Sequence, residues 1–189
     1  MSEYPGVTLP VAGSQPPNAF SPFEIVLCIT GGVTLSQISE MTGLEPSTIQ
    51  NWVKRGWVPK PVGKRYGEGH LARIFLINSL RGALQLESII DLLHYVNGNL
   101  NDTADDLLPD RALYDLFCQV LERCEKGAPT RAAIEQALHS YTEPYSGAKD
   151  KLRKVLAVML PAYRSAALKR EAETAFRDIK GGNESWQKP

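Results

Sequence analysis

The sequence predicts a nearly all-α protein carrying one small β wing. Three observations lead there. Apolar residues recur at three- and four-residue steps through most of the chain after residue 21. Glycines and prolines cut that pattern into short segments with helix start and stop signals. One stretch, Val62-Gly63-Lys64-Arg65-Tyr66-Gly67, is basic, glycine-bounded and suited to a short two-stranded turn rather than a helix.

Taken in order, residues 1 to 20 hold Pro5, Pro10, Pro16, Pro17, Gly6 and Gly13 without periodicity, and read as a disordered or extended arm. Ser21-Pro22-Phe23-Glu24 supplies an N-cap, a first-turn proline and a capping-box glutamate for a helix over 22 to 30, which Gly31-Gly32 stops. Thr34 and Gln37 form a second capping box, and Leu35, Ile38 and Met41 line one face of a helix ending near Gly43. Pro46 opens the next, with Ile49, Trp52 and Val53 inward and Ser47, Thr48, Gln50, Asn51, Lys54 and Arg55 outward. It ends by Gly56, because Trp57-Val58-Pro59-Lys60-Pro61 cannot continue a helix.

Beyond the wing, Leu71, Ile74, Phe75, Leu80 and Leu84 mark a helix that tolerates the polar Asn78 and Gly82, and Leu86 to Leu93 mark another ending near Asn97-Gly98. Asp110 caps a helix with Leu113, Tyr114, Phe117, Val120 and Leu121 inward, and Pro129 starts one containing Ile134, Ala137 and Leu138. Residues 148 to 179 form the longest periodic run, which Pro161 is expected to kink or divide. The expected organisation is an arm at 1–20, a winged helix-turn-helix at 21–97, a linker at 98–109, a helical dimerisation or signal-receiving region at 110–180, and a tail at 181–189.

Composition bounds the function. The 189 residues, 43% hydrophobic and 22% charged, describe an ordinary globular chain. No run approaches the ~18 apolar residues of a membrane span, and the first residues show no basic stretch followed by an apolar run, so a cytoplasmic location away from membranes is expected. Cys28, Cys118 and Cys124 are expected to be reduced, buried and structural. No cofactor is expected, since Cys118 and Cys124 stand six residues apart and neither His94 nor His139 supplies ligand spacing for a metal. No nucleophile triad, phosphate-cradling loop or carboxylate pair suggests an enzyme.

Net charge is zero but unevenly spread. Residues 33–78 carry six Lys/Arg against three Asp/Glu, residues 79–126 four against nine, and residues 127–189 eleven against seven. Between 46 and 66 stand Lys54, Arg55, Lys60, Lys64 and Arg65 with no carboxylate, a basic face suited to a phosphate backbone or simply to water. The outward residues of the 46–55 helix add amides for base edges and hydroxyls for phosphate oxygens, with the helix N-terminus as a positive dipole end.

Four pieces in order carry a family resemblance: Leu35-Ser-Gln-Ile38-Ser-Glu-Met41-Thr-Gly43; Thr48-Ile49-Gln-Asn-Trp52-Val-Lys-Arg-Gly56-Trp57-Val58-Pro59; Lys64-Arg65-Tyr66; and Leu86-Glu-Ser-Ile89-Ile90-Asp-Leu92-Leu93. Over residues 33 to 96 the chain resembles the MerR-type winged helix-turn-helix, most of all an uncharacterised bacterial family built on that module. The resemblance implies a transcription regulator whose recognition helix enters the major groove of double-stranded DNA. It also implies a wing that meets phosphates and a long C-terminal helix that dimerises. Its DNA-contact residues would be Gln50, Asn51, Lys54, Arg65 and Tyr66, to which the spacing adds Ser47, Thr48, Arg55 and Lys64. A homodimer pairing through Leu152 to Tyr163 is expected, unless that stripe closes the chain's own core; an effector is unspecified. The alternative is the same fold turned to protein contact.

Overall fold

A computed structural model describes residues 4–8, 18–97 and 107–182. The parts of the expected arm at 1–3 and 9–17, of the linker at 98–106 and of the tail at 183–189 lie outside them. The protein is mostly helical, with eight helices among the described residues: α1 Ser21–Thr30, α2 Leu35–Thr42, α3 Pro46–Lys54, α4 Glu68–Leu80, α5 Leu86–Asn97, α6 Asp110–Glu125, α7 Thr130–Ala137 and α8 Ala148–Gly182. Extended pairing among them is limited to two isolated antiparallel bridges, Val33 with Tyr66 and Val62 with Arg65.

Local signals explain most boundaries. The Thr34 hydroxyl accepts from the Gln37 N–H at 3.3 Å while the Gln37 carbonyl oxygen accepts from the Thr34 N–H at 2.8 Å, so the expected capping box of α2 is formed. Gly43 then closes α2 at φ 66°, a left-handed conformation in which an L side chain is strained. The capping expected for α1 is different. Its N-cap is Phe20, whose N–H donates to the Asp115 carboxylate of α6 at 2.8 Å, and Glu24 pairs with Arg111 instead of folding back. Asp110, expected as a helix cap, makes no capping bond and is drawn into an ion pair with Arg73 of α4.

Helix α4 is the axis of the molecule. Leu71 through Ile77 are all buried, and a helix apolar on nearly every side must be enclosed by neighbours. It packs against α1, α2, α5, α6 and α8. Phe75 meets Phe23 at 5.0 Å and Tyr114 at 5.6 Å between ring centroids, and Phe20 caps the cluster at 6.1 Å from Phe75. One continuous core runs from Tyr4 to Ala162, spanning both sides of the expected linker. Gly82, just past α4, lies where a Cβ would stand 2.8 Å from the Ala166 Cβ, so its missing side chain lets α8 approach.

The segment expected as an arm packs wherever it is described. Tyr4 and Val7 are buried, Thr8 N–H donates to the Met41 carbonyl at 2.8 Å, and Tyr114 Oη donates to the Pro5 carbonyl at 2.9 Å. Asn78, polar on an otherwise apolar stripe, donates its amide to the carbonyls of Gly6 at 2.8 Å and Thr42 at 3.1 Å. Helix α8 runs through Pro161 without dividing. Pro161 and Ala157 both face solvent, so the Ala157 carbonyl, which Pro161 cannot bond because it has no N–H, is open to water. Leu152, Val155, Leu156, Met159 and Leu160 are buried within the chain, so this stripe closes the intramolecular core and is not available as a dimer interface.

Candidate nucleic-acid interface

Helices α2 and α3 are joined by the three residues Gly43, Leu44 and Glu45. Leu44 is buried, and its backbone is held from both sides: Ser39 Oγ donates to its carbonyl at 2.6 Å, and its N–H donates to Thr42 Oγ1 at 3.3 Å. This fixes the entry of α3, which Ile49 and Trp52 then anchor by burying their side chains. The opposite face is left to solvent. Ser47, Gln50, Asn51, Lys54 and Arg55 are exposed, while Thr48 is half-buried beside Trp52. Glu45 occupies the N-cap of α3, so a carboxylate stands where the helix dipole was expected to attract phosphate.

After α3, Gly56 at φ 74° turns the chain and Trp57 and Val58 N–H groups bond the Trp52 carbonyl at 2.9 and 3.3 Å. A two-residue hairpin follows. Val62 and Arg65 exchange backbone bonds at 3.1 and 2.9 Å around Gly63 and Lys64, whose φ values of 56° and 62° are both positive, as a type I′ turn requires. Lys64 is therefore projected at the hairpin tip, exposed. Arg65 is exposed too, but one of its terminal nitrogens donates to the Gly32 carbonyl at 3.1 Å. Tyr66 departs from expectation: it is buried, its backbone pairs with Val33, and its ring packs edge-on against His70 at 5.6 Å. Burial pushes its phenol pKa up, and it is a structural residue rather than a contact.

Of these basic residues only Arg55 meets a carboxylate among the described residues. Lys54, Lys60, Lys64 and Arg65 are exposed, and Arg55 lies 4.8 Å over the Trp57 ring and 3.6 Å from Glu87 of α5. Glu87 lines the same cleft as Asn51, Lys54 and Arg55 and repels an anion approaching Arg55. Sequence reasoning missed this carboxylate because it belongs to the next helix but one. It also missed His70, whose Nδ1 accepts from the Gly67 N–H at 3.1 Å and whose Nε2 bonds the Lys60 carbonyl at 3.2 Å, fastening the loop after α3 to the start of α4.

Cys28 is exposed, contrary to the expectation that all three thiols are buried, whereas Cys118 and Cys124 are buried. Among the described residues no group of three His, Cys, Asp or Glu side chains stands together as a metal site. No described helix is long and apolar enough to cross a membrane.

Residues 24–117 match the family model of a domain of unknown function, DUF1836. Over 94 residues the chain is 29% identical to the uncharacterized protein YkrK of Bacillus subtilis (strain 168). That alignment covers 48% of this chain and 40% of the relative's own length. No solved structure matches the chain significantly. These matches correct the resemblance to the MerR-type family: the matching family model is that of a domain of unknown function, and it runs through α4, α5 and the first half of α6 instead of ending near residue 96. The added span has a physical counterpart, since α6 supplies the Asp110 and Asp115 carboxylates that hold α4 and the start of α1.

Proposed function

We propose that the protein is a sequence-specific DNA-binding transcription regulator. In this reading α2 and α3 form a helix-turn-helix with α3 as recognition helix, and the hairpin around Gly63 and Lys64 forms a small wing beside it. The observation that carries the reading is the exposed polar face of α3, Ser47, Gln50, Asn51 and Lys54, in a 46–66 segment free of carboxylates whose hairpin tip projects Lys64. Side-chain amides of Gln50 and Asn51 are suited to the N6 and N7 edge of adenine. Lys54, Lys60, Lys64 and Arg65 neutralise phosphates and position the protein without reading sequence. Arg55, held by Glu87 and Trp57, orients the surface more than it binds. Two copies pair over two half-sites, through a surface other than the Leu152 to Tyr163 stripe.

Selection from a random duplex library, followed by titration across a salt series, tests the proposal. Asn51→Ala is expected to cost about 1–3 kcal/mol on a selected site and little on unrelated DNA. Lys64→Asn, which removes a charge but tolerates the left-handed backbone, should weaken all sequences alike and lower the salt slope by about one. Binding by both variants equal to the parent's at every salt concentration removes α3 and the hairpin as the reading surface. Sedimentation of a monomer alone, with and without DNA at tens of micromolar, removes the dimer. A second reading, protein contact through the same fold, is favoured by the exposed apolar residues Ile25 and Ile29 on α1. It predicts a partner whose affinity holds as salt rises.

A further inference from the structure

Away from the hairpin, the N-terminal segment, the end of α4 and the second half of α8 meet the inner side of α3 around a cavity of about 520 Å³. That volume is within the range of small-molecule sites. Its lining combines two chemistries. Half-buried Leu86 and Tyr163, backed by the buried Trp52 and Ala166, offer an aromatic and aliphatic wall, and Arg81, Lys169 and Arg170 offer cations against one carboxylate, Glu173. Lys169 stands 4.0 Å from Glu173, while among the described residues neither Arg81 nor Arg170 has a carboxylate partner.

Arg81 is held ready for one. Its Nε donates to Asn78 Oδ1 at 2.7 Å, and the Asn78 amide is itself fixed by its bonds to the Gly6 and Thr42 carbonyls. The two terminal nitrogens remain for the fork geometry that a carboxylate accepts. Although Arg81 is exposed as a residue, the adjoining wall partly desolvates its guanidinium and holds its pKa below the ordinary value, a cost that an anion beside it would offset. A preoriented guanidinium beside an apolar wall selects a ligand with an anionic head and an apolar body.

We propose that this cavity binds a small amphipathic carboxylate, its apolar body against Leu86 and Tyr163 and its carboxylate on Arg81 and Arg170. The site is independent of the DNA-binding reading, and its test contains no DNA. Calorimetric titration of the full chain with naphthalene carboxylate, and separately with its neutral carboxamide, should give saturable binding of the acid at one site, with the amide at least about tenfold weaker. Arg81→Gln and Arg170→Gln should each lower the affinity for the acid about tenfold, whereas Lys126→Gln, an equal charge loss elsewhere, should leave it unchanged. Both arginines are exposed, so the folded state is expected to survive and circular dichroism checks it. No saturable binding up to about 1 mM, equal affinity for acid and amide, or parental affinity in both arginine variants overturns the proposal.

Discussion

Removing the Asp110 carboxylate leaves a buried cation alone. Arg73 has a side chain 1% exposed, with its Nη1 3.0 Å from Asp110 Oδ2 and its Nε donating to the Trp57 carbonyl at 2.7 Å. Asp110 also accepts from Asn97 Nδ2 at 3.1 Å, so this one carboxylate ties α4, α5 and α6 together. Breaking a buried pair from one side costs about 3–5 kcal/mol, because the remaining charge is neither hydrated nor compensated. With a urea slope of about 2 kcal/mol per molar, Asp110→Ala should lower the unfolding midpoint by about 1.5–2.5 M. The double variant Arg73→Met, Asp110→Ala should recover about 1–2 kcal/mol of this, since methionine fills similar volume and needs no partner for a terminal nitrogen that already lacks one. Urea unfolding followed by circular dichroism at neutral pH measures all three chains. A loss below about 1 kcal/mol in Asp110→Ala, or a double variant no better than the single, would show that water screens this pair.

Three further outcomes follow from the same packing. Gly6 sits at φ 74° where a Cβ would meet the Phe75 carbonyl oxygen at 2.1 Å; Gly6→Ala should therefore cost about 1–3 kcal/mol, read as a fall in Tm of about 2–12 °C. Burial pushes the Cys118 thiol pKa up and Cys124 is also buried, so Ellman's reagent should titrate Cys28 alone in the native protein and all three thiols in denaturant; fast reaction of a second thiol in the native state contradicts this burial. Glu135 is held below the usual carboxylate range by its hydrogen bond from Arg153, and Asp150 by its bond from Lys154. Because these pKa values are depressed in the folded state, their stabilisation is present above the unfolded carboxylate pKa and is lost as pH falls through the folded one. The stability difference between the parent and Glu135→Gln should thus shrink as pH drops from about 6 to about 3, measured by urea unfolding at each pH.

The legible parts of this protein are those governed by neighbours in sequence. Thr34 with Gln37, Gly43 after α2 and Pro46 before α3 act within a turn of where they stand, and they locate the two helices and the turn between them without help from the rest of the chain. The alternation of Ile49 and Trp52 with Gln50 and Asn51 likewise separated the buried from the exposed face of α3. Periodicity measures only whether a side chain lies on an apolar face, not what covers that face. It therefore left open whether the stripe from Leu152 to Tyr163 would meet another copy or the chain's own core, and its packing against α4, α6 and α7 places it in that core.

Tertiary contact decided the charged and aromatic residues near the candidate interface. Tyr66 stands in a basic stretch that suggests exposure, yet pairing of its backbone with Val33 turns its ring onto His70 and into the core. Arg55 and Glu87 are far apart in sequence and meet only because α5 is laid beside α3, just as Arg73 finds Asp110, Phe20 finds Asp115, and Pro5 finds Tyr114. Local signals located the helices, the capping box and glycine stop of α2 and the polar face of α3, because those depend on interactions spanning at most a few residues. Only packing between helices set the long-range compensation of Arg55, Arg73 and Arg111, whereas Lys154 and Asp150 pair within one helix. A charge is neutralised or exposed according to what lies a few ångströms away in space, and loop closure brings residues from across the chain into that range.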